Sequence, residues 1–523
     1  MAGSTIARPA ARGRATIGLR PLVMPLVLCG IALLPLLLSL AFLSEPMEQD
    51  EGVYFTVARH GWPYGDVFDH KPPVVYGWYK LALLANGGEA SVEPVRLLAA
   101  VSLSIAALAV TWTASMLFDR KTGVIAGVLM GLAATNQYLQ FNANSEVFLL
   151  APLTLSAAAF TQGWRANSLG WYALSGALAG IAAMTKSVAV LQLLALAGVL
   201  VWASAMQLSQ WRQGLRASAC LLAAGIATIV VAAAPFVVAG RGSEFWYANV
   251  TYNLAYGAQV NIDDKLFALA DIDRFALIAG LYLWVPAVIG AVLLCRRGPS
   301  MAAALLISGG VAAFVGASAT GREYPHYLIP LLPFACILAA FAYERMTAEW
   351  HRARARLHAE ALTLALVVPA IFAIVPLYVL DIEAVHLRKY HQGPNARRAI
   401  QNEDVAARVR ALAPGGTLFV LGDEAQLYAL SGLAPSTHHL RPVSDAAVDR
   451  ATFGWTMAEL EAAPPNVVVD AGRLEMGAGL LGRESQTVEL DVPPGDRARF
   501  DAFLREHYRH AEDVAYATIW LRK

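Results

Sequence analysis

Residues 21–43 form an apolar run of 23 residues without one charged side chain. A helix rises about 1.5 Å per residue, so this run is long enough to cross the roughly 30 Å hydrocarbon core of a bilayer. The run is too long for the core of a signal peptide, and no small-residue cleavage site follows it. We therefore expect a retained membrane anchor.

Further apolar runs of spanning character follow in a chain that is 57% apolar and only 15% charged. An average soluble domain is roughly 25% charged, so an ordinary soluble enzyme is excluded. The runs lie at 94–118, 123–139, 146–161, 172–185, 187–206, 217–240, 275–295, 301–319, 327–343 and 361–380. The sequence predicts a multi-pass α-helical membrane protein with about 11 transmembrane helices.

Charged residues are unevenly distributed, with 43 in the first 380 positions and 36 in residues 381–523. This contrast predicts a basic N-terminus at 1–20, a membrane domain at 21–380 and a soluble domain at 381–523. Helical patterns at 402–412, 424–431 and 501–508 alternate there with strand patterns at 417–421, 466–469 and 515–521. We expect a small α/β domain.

Basic residues in short loops mark the cytoplasmic side of a membrane protein. They occur here at Arg8, Arg12, Arg14, Arg20, Arg120, Lys121, Arg165, Arg212, Arg216, Arg296, Arg297, Arg345, Arg352, Arg354 and Arg356. This places the loop 45–93 and the C-terminal domain outside, on the periplasmic face of an inner membrane. A net charge of +1 creates no overall positive field that would attract nucleic acid. The four cysteines indicate no disulfide framework.

The loop 45–93 begins with two adjacent acids, Asp50 and Glu51, directly after the first apolar run. Carboxylates at the membrane face are costly unless they are used or paired. Partial desolvation is expected to raise the pKa of Asp50, which would suit a base that deprotonates a hydroxyl. The alternative is that both acids cap a helix with Tyr54 on its buried side.

The same loop then crowds Tyr64, Asp66, His70 and Lys71 among glycines and prolines. The prolines after Lys71 favour extended geometry, and a fixed cation beside a membrane suits a phosphate. The alternative for Lys71 is an interfacial snorkelling lysine. His70 is a candidate metal ligand, proton carrier or packed polar group, and a divalent metal is compatible with the loop but not demanded by any spacing.

These motifs, Asp-Glu-Gly-x-Tyr at 50–54 and Gly-x-x-Tyr-x-Asp-x-x-x-His-Lys-Pro-Pro at 61–73, carry a resemblance. They resemble the first extracytoplasmic loop of the protein O-mannosyltransferase-like glycosyltransferases of the GT-C superfamily. That superfamily also includes the lipid A aminoarabinose transferase and the Rgt-type lipopolysaccharide-core galacturonosyltransferases. Similar segments at 144–146, 321–330 and 419–428 extend the resemblance over nearly the whole chain.

The resemblance implies an integral membrane glycosyltransferase that takes a sugar from a polyprenyl-phosphate sugar, with no covalently bound cofactor. Asp50 would be the catalytic base with Glu51 beside it, and Lys71 and Arg322 would bind the donor phosphate. The other residues implied to line the site are Tyr54, Tyr64, Asp66, His70, Glu146, Tyr324 and His326. The expected acceptor is a hydroxyl of an extracytoplasmic glycan, lipid or protein, and a single displacement would invert the anomeric centre.

Some alternatives stay open at this stage. Glu146 could merely cap its span, and Tyr324 and His326 could belong to an interfacial aromatic belt. Asn142 and Asn144 stand where many relatives carry a charged residue. A secondary transporter has a similar number of spans but binds cargo at broken helices in repeated halves, and no repeat is evident here. A non-catalytic membrane scaffold fits poorly with so many acids and bases in one loop.

Overall fold

The structure is a computed structural model that describes residues 20–40, 43, 45–134, 142–206, 210–261, 265, 280–321, 324–352, 394–471 and 494–523. The first part of the chain is helical. Its helices are α1 (Arg20–Ser39), α2 (Gln49–Arg59), α3 (Val74–Ala85), α4 (Val92–Leu117), α5 (Arg120–Ala134), α6 (Ser145–Ala166), α7 (Leu169–Ala183), α8 (Val190–Ala205), α9 (Trp211–Val238), α10 (Gly242–Trp246), α11 (Tyr252–Ala258), α12 (Leu281–Cys295), α13 (Met301–Ser318) and α14 (Leu332–Arg352). Turns of 3-10 helix at Ser187–Ala189 and Pro325–Leu331 lead into α8 and α14.

Six helices of the described residues are long and apolar enough to cross a membrane: Val92–Leu117, Ser145–Ala166, Ser187–Ala205, Trp211–Val238, Met301–Ser318 and His326–Thr347. Four apolar helices are shorter: Val23–Ser39, Val74–Ala85, Leu169–Ala183 and Leu281–Cys295. The expected count of about 11 transmembrane helices is therefore not confirmed. The run at 361–380 lies outside the described residues, and α7 has only 15 residues.

Small residues explain why a helix as short as α7 belongs to the bundle. Gly176 of α7 lies so close to α9 that an added Cβ would sit 1.9 Å from the carbonyl oxygen of Leu221. Helices with glycine at the contact can approach backbone to backbone, which is the usual packing device inside a bilayer. In contrast, α9 presents apolar side chains outward, with Val231 71% exposed and Val238 88% exposed. This outer surface suits contact with lipid.

The C-terminal part folds around a sheet, as predicted. It comprises α15 (Pro394–Leu412), β1 (Thr417–Leu421), α16 (Gln426–Ser431), β2 (Ala434–Pro435), α17 (Pro442–Val448), α18 (Ala451–Ala462), β3 (Val467–Asp470), α19 (Pro494–His507), β4 (Tyr508–Val514) and β5 (Ala517–Arg522). The strand order is β2-β1-β3-β5-β4, with β1 parallel to β2 and β3, and β5 antiparallel to β3 and β4. β4 was not predicted, because most of its side chains are polar and only Tyr508 is buried.

The segment predicted as the loop 45–93 contains two helices, α2 and α3, joined by a turn at 60–73. The C-terminal domain packs directly on α2. One apolar cluster holds Val53 and Tyr54 of α2 together with Leu427 of α16 and Val469 of β3. A continuous core therefore links the helical body and the C-terminal domain, and the junction between them is where the charged residues of 50–73 lie.

Candidate active site

Asp50 lies in the first turn of α2, and 29% of its side chain is accessible. The hydroxyl of Tyr54, one turn further along, donates a hydrogen bond of 3.3 Å to Asp50 Oδ2. Arg441 Nη1, from the residue before α17, is 3.5 Å from Asp50 Oδ1. Asp50 is therefore oriented by its own helix on one side and by the C-terminal domain on the other.

The pKa of Asp50 differs from the sequence-based expectation. Burial alone would raise it, as expected, but the charges of Lys71, Arg441 and His326 outweigh burial and hold the pKa of Asp50 below its usual value. The expectation of a raised pKa was wrong because it considered desolvation without the cations that only the tertiary structure brings together. Asp50 is ionised at neutral pH.

Lys71 is fixed through its backbone by two buried tyrosines. Its carbonyl oxygen accepts hydrogen bonds from the hydroxyls of Tyr64, at 2.7 Å, and Tyr76, at 3.0 Å. Burial by itself would lower the pKa of Lys71, but Asp50 and Asp69 raise it above its usual value. Lys71 thus stays charged beside Asp50, and Tyr64 serves to hold its backbone.

His70 stacks on two aromatic rings, with centroid separations of 5.2 Å to Tyr252 and 5.6 Å to Tyr256. Its Nε2 is 3.1 Å from the Nζ of Lys71. Burial, followed by the charges of Lys71 and Arg441, lowers the pKa of His70 well below its usual value. A neutral imidazole can accept a hydrogen bond from the Lys71 ammonium, so His70 is placed to orient that cation.

Asp69 and Arg441 were missed by the sequence-based analysis. Asp69 is buried, accepts a hydrogen bond of 2.9 Å from the Tyr76 hydroxyl, and lies 3.5 Å from Arg441 Nη2. Arg441 thus bridges Asp50 and Asp69, which come from α2 and from the turn. The sequence carries no signal for Arg441, because 391 residues separate it from Asp50.

A second charged group adjoins the first. Glu146, at the start of α6, forms an ion pair with Lys186 and lies 3.5 Å from His326 Nε2. The Lys186 ammonium also sits 4.0 Å from the centroid of the Tyr327 ring. Glu146 and His326 both act electrostatically on Asp50. The structure therefore brings together Glu146 and His326 as the resemblance implied, and it adds Lys186.

Glu51 does not join this cluster. It is fully buried and accepts hydrogen bonds of 3.0 and 2.7 Å from Nε and Nη2 of Arg96 in α4. It also accepts from the backbone N–H groups of Glu48 and Ala143, at 3.0 and 3.1 Å. These contacts occupy both carboxylate oxygens. This geometry is unfavourable for a direct catalytic role of Glu51 and supports a structural role.

The remaining candidates lie away from Asp50 or outside the described residues. Asp66 is exposed, accepts a hydrogen bond of 2.8 Å from the backbone of Trp62 and pairs with Arg241 at 2.7 Å. It closes the turn instead of facing Asp50. Tyr324 is 41% exposed and stacks on His326 at 5.4 Å. Arg322, the second predicted phosphate ligand, lies outside the described residues.

The residues named so far provide three acids and three fixed cations in one place. The acids are Asp50, Asp69 and Glu146, and the cations are Lys71, Lys186 and Arg441. In such a set each carboxylate has cations nearby that favour its ionised form. No group of three or more histidine, cysteine or acidic side chains suited to a metal ion occurs among the residues that the structure describes.

A comparison with family models matches residues 70–238 to the dolichyl-phosphate-mannose-protein mannosyltransferases. The matched region begins at His70 and ends at the last residue of α9. No curated protein matches the sequence.

Solved structures resemble nearly the whole chain. ArnT from Cupriavidus metallidurans, bound to undecaprenyl phosphate, shows 16% identity and a TM-score of 0.57, with 96% of this chain and 98% of that chain covered. The archaeal oligosaccharyltransferase AglB from Archaeoglobus fulgidus, in complex with an inhibitory peptide and a dolichol-phosphate, shows 12% identity and a TM-score of 0.53. That match covers 87% of this chain and 70% of AglB.

These matches confirm the resemblance predicted from the motifs. The chain shares the fold of ArnT and AglB, two of the solved structures that it matches. Residues 70–238 are thus similar to a mannosyltransferase family, and the fold is similar to those of ArnT and AglB.

Proposed function

We propose that this protein transfers a sugar from a polyprenyl-phosphate sugar to a hydroxyl of an extracytoplasmic acceptor. The observation that carries the proposal is that an accessible carboxylate, Asp50, and the charged and rigidly held Lys71 lie close enough to act electrostatically on each other. A lipid-linked donor keeps its tail in the bilayer and its anomeric carbon at the surface, where such a pair is useful. ArnT, which shares this fold, was solved with undecaprenyl phosphate.

In the proposed reaction, Asp50 takes the proton of the acceptor hydroxyl while that oxygen attacks the anomeric carbon. The bond between this carbon and the phosphate oxygen breaks, and its electron pair stays on the polyprenyl phosphate. Lys71 stabilises the negative charge of the leaving phosphate, and Arg322 is proposed to assist. A single displacement of this kind inverts the anomeric configuration.

Donor binding would also adjust the base. A phosphate beside Lys71 competes with Asp50 for the same cation, so the pKa of Asp50 rises when the donor is bound. Asp50 is then a stronger base in the complex than in the free protein. Glu51 has no place in this step, and we assign it to anchoring α2 against Arg96.

The test is transfer of labelled sugar from a panel of polyprenyl-phosphate sugars to acceptors in membrane extracts. Asp50→Asn should lower the rate about 10²- to 10⁴-fold, the usual contribution of a general base. Lys71→Met should lower it as well. Matched controls are Asp404→Asn and Lys121→Met, which change exposed residues of α15 and α5.

Unchanged transfer in Asp50→Asn and Lys71→Met would refute the assignment of the site. Movement of a solute into sealed vesicles by the purified protein, without any lipid-linked sugar, would instead support the transporter alternative. The anomeric configuration of the product, read by NMR, tests inversion. The sugar that gives a signal identifies the donor, and fractionation of the extract identifies whether the acceptor is a glycan, a lipid or a protein.

A further inference from the structure

Arg441 is held in place by the residues around it. The backbone carbonyl of His438 accepts a hydrogen bond of 2.8 Å from the backbone N–H of Phe68, and the His439 ring packs 4.5 Å from the Phe68 ring. His439 Nδ1 is in turn 2.9 Å from Asp445 Oδ2 in α17. These contacts fasten the segment that carries Arg441 to the turn that carries Asp69 and Lys71.

The guanidinium of Arg441 then reaches two acids at once. Its Nη1 is 3.5 Å from Asp50 and its Nη2 is 3.5 Å from Asp69, and only 14% of the Arg441 side chain is exposed. Two carboxylates that face one another repel, and without a cation one of them tends to take up a proton. A planar guanidinium can bind two separate carboxylates at once, and a lysine ammonium on a flexible stem does this less well.

We propose that Arg441 is a positioning residue for Asp50, and that docking of the C-terminal domain on α2 is therefore required to complete the active site. The inference rests on the proposed function, because it assigns Arg441 a role toward the proposed base. Arg441 itself does not need to touch the donor or the acceptor. Its role is to keep Asp50 ionised and pointed at the accessible side of the cluster.

The contact between α2 and α16 is so close that adding one methyl group at Gly52 would disturb it. Gly52 follows Asp50 by two residues, and an added Cβ there would lie 2.3 Å from Cα of Gln426 in α16. Gln49 Nε2 donates a hydrogen bond of 2.6 Å to the carbonyl oxygen of Asp423 just before that helix. Only glycine at position 52 allows α2 and α16 to approach this closely.

Further hydrogen bonds fix the same interface from the other side of the turn. The Tyr252 hydroxyl donates to Asp445 at 2.9 Å, and the Tyr247 hydroxyl donates to Asp449 at 2.7 Å. Both acceptors flank or belong to α17, which begins directly after Arg441. The position of Arg441 therefore depends on the docked domain as a whole.

The pH dependence follows from the charges around Asp50. The groups that act on it are Tyr54 on α2, Tyr79 on α3, Asp69 and Lys71 in the turn, Glu146 on α6, Lys186, His326 and Tyr327 around Glu146, and Arg441. Loss of Arg441 removes one cation and leaves the acids in place, so the neutral form of Asp50 becomes more favourable. On acidification, a variant without Arg441 should therefore lose activity at a higher pH than wild type does.

The first experiment measures kcat/KM against pH for wild type, Arg441→Met and Arg441→Lys. In Arg441→Met the acid limb of the pH profile of kcat/KM should move to higher pH by about one unit. This is the lower end of the pKa shift that an adjacent opposite charge produces. At a pH on that limb kcat/KM then falls about tenfold, with a smaller loss at alkaline pH. Arg441→Lys should show a smaller displacement. Arg450→Met, which changes an exposed arginine nine residues further on, is the matched control.

The outcomes separate this inference from the proposed function. If wild type and Arg450→Met transfer sugar and the acid limb of Arg441→Met stays in place, the inference is overturned and the proposed function stands. A loss by the same factor at every pH would likewise overturn it, because that is the mark of a purely structural role. If wild type transfers no sugar from any donor, the proposed function fails and the inference fails with it.

A second experiment does not depend on Arg441→Met folding well. Gly52→Ala should disturb docking, whereas Gly77→Ala changes a glycine of α3 that has open space around its Cβ position. We expect Gly52→Ala to lower kcat/KM and to move the acid limb upward, and Gly77→Ala to do neither. The double variant Gly52→Ala/Arg441→Lys should be no worse than the more affected single variant, since both act through the same contact. Additive losses would contradict the inference.

Discussion

The carboxylates of Asp50 and Glu51 belong to adjacent residues of α2, yet they meet different parts of the protein. Asp50 is 29% exposed and lies 3.5 Å from Arg441, whereas Glu51 is fully buried and held by Arg96 at 2.7 and 3.0 Å. Successive helical residues point about 100° apart, so one turn of α2 can face both the proposed reaction site and the scaffold. The two acids should therefore respond differently to substitution.

Arg96→Met should be strongly destabilising. Arg96 donates to both oxygens of Glu51 and to the backbone carbonyls of Glu45, at 2.6 Å, and Pro46, at 2.9 Å. Its loss leaves a buried carboxylate without its cation, at a cost of about 3–5 kcal/mol. The measurement is the thermal unfolding midpoint of the purified protein in detergent.

Two further variants serve as comparisons for Arg96→Met. Arg96→Lys keeps the charge but loses the forked geometry, so its midpoint should lie between those of wild type and Arg96→Met. Arg505→Met, at an exposed position of α19, should unfold close to wild type. A midpoint of Arg96→Met equal to that of Arg505→Met would show that the pair does not anchor α2.

Glu146 and Lys186 can be tested as a pair. Glu146→Gln and Lys186→Met each leave one buried charge without its partner, so each should lower the unfolding midpoint clearly. The double variant removes both charges and should recover much of that stability. Transfer activity should stay low in the double variant, because Glu146 and Lys186 also shape the field around Asp50. Recovery of both stability and activity would assign the pair a structural role alone.

His438 should make the folded protein sensitive to acid. Burial, followed by the neighbouring His439, lowers the pKa of His438 from 6.5 to about 4. The unfolded chain therefore binds a proton at this residue below about pH 6.5, whereas the folded protein does so only near pH 4. Stability from this residue is present above pH 6.5 and is lost as the pH falls between these values.

The check on His438 is the unfolding midpoint at pH 7.5 and pH 5 in wild type and His438→Gln. The decrease between the two pH values should be smaller in His438→Gln than in wild type. His507→Gln, at a more exposed histidine of α19, should leave the decrease unchanged. An equal decrease in wild type and His438→Gln would contradict the expected protonation behaviour.

Tyr64→Phe should weaken donor binding with little effect on the packing of the site. The ring of Tyr64 is buried against Phe236 and Phe245, and phenylalanine preserves these contacts. The substitution removes the hydrogen bond of 2.7 Å to the carbonyl of Lys71, worth about 1 kcal/mol. We expect KM for the lipid-linked sugar to rise about fivefold, the equivalent of that free energy.

Tyr508→Phe is the matched control for this substitution. Tyr508 is also buried, and its hydroxyl donates to the carbonyl of Pro465 at 2.8 Å, but it lies in β4 of the C-terminal domain. Both variants should lose similar stability, and only Tyr64→Phe should raise KM. Equal KM values would mean that the Lys71 backbone needs no support from Tyr64.

Much of the fold was predictable because apolar runs and charge distribution report directly on the solvent that each segment meets. The low charge of residues 1–380 predicted the membrane body, and the alternating patterns after 400 predicted β1, β3 and β5 with the helices α15, α16 and α19, but not α17 and α18. The number of spans was not predictable in the same way. Short runs rich in alanine and glycine, such as α7, look like spans in sequence, although their length is set by packing against α9.

The candidate site was predicted in part. The motifs at 50–54 and 61–73 drew attention to Asp50, Lys71 and His70, which the structure places together, but also to Asp66, which it places at an exposed turn. Asp69 lies in the same motif and was passed over, because adjacent acids in a sequence cannot be ranked without knowing which is buried. Whether these residues act as proposed stays a prediction for the experiments above.

The sequence by itself determined that this chain is a membrane protein with a charged segment at 50–73 and an α/β fold in its C-terminal part, because those properties depend on local composition and periodicity. Only the tertiary structure decided how the charges are paired. Arg441 reaches Asp50 across 391 residues, and Arg96 takes Glu51 out of the site. Coulombic interactions depend on distance in space and on burial, so the protonation state and the role of each acid are fixed by folding and not by position in the chain.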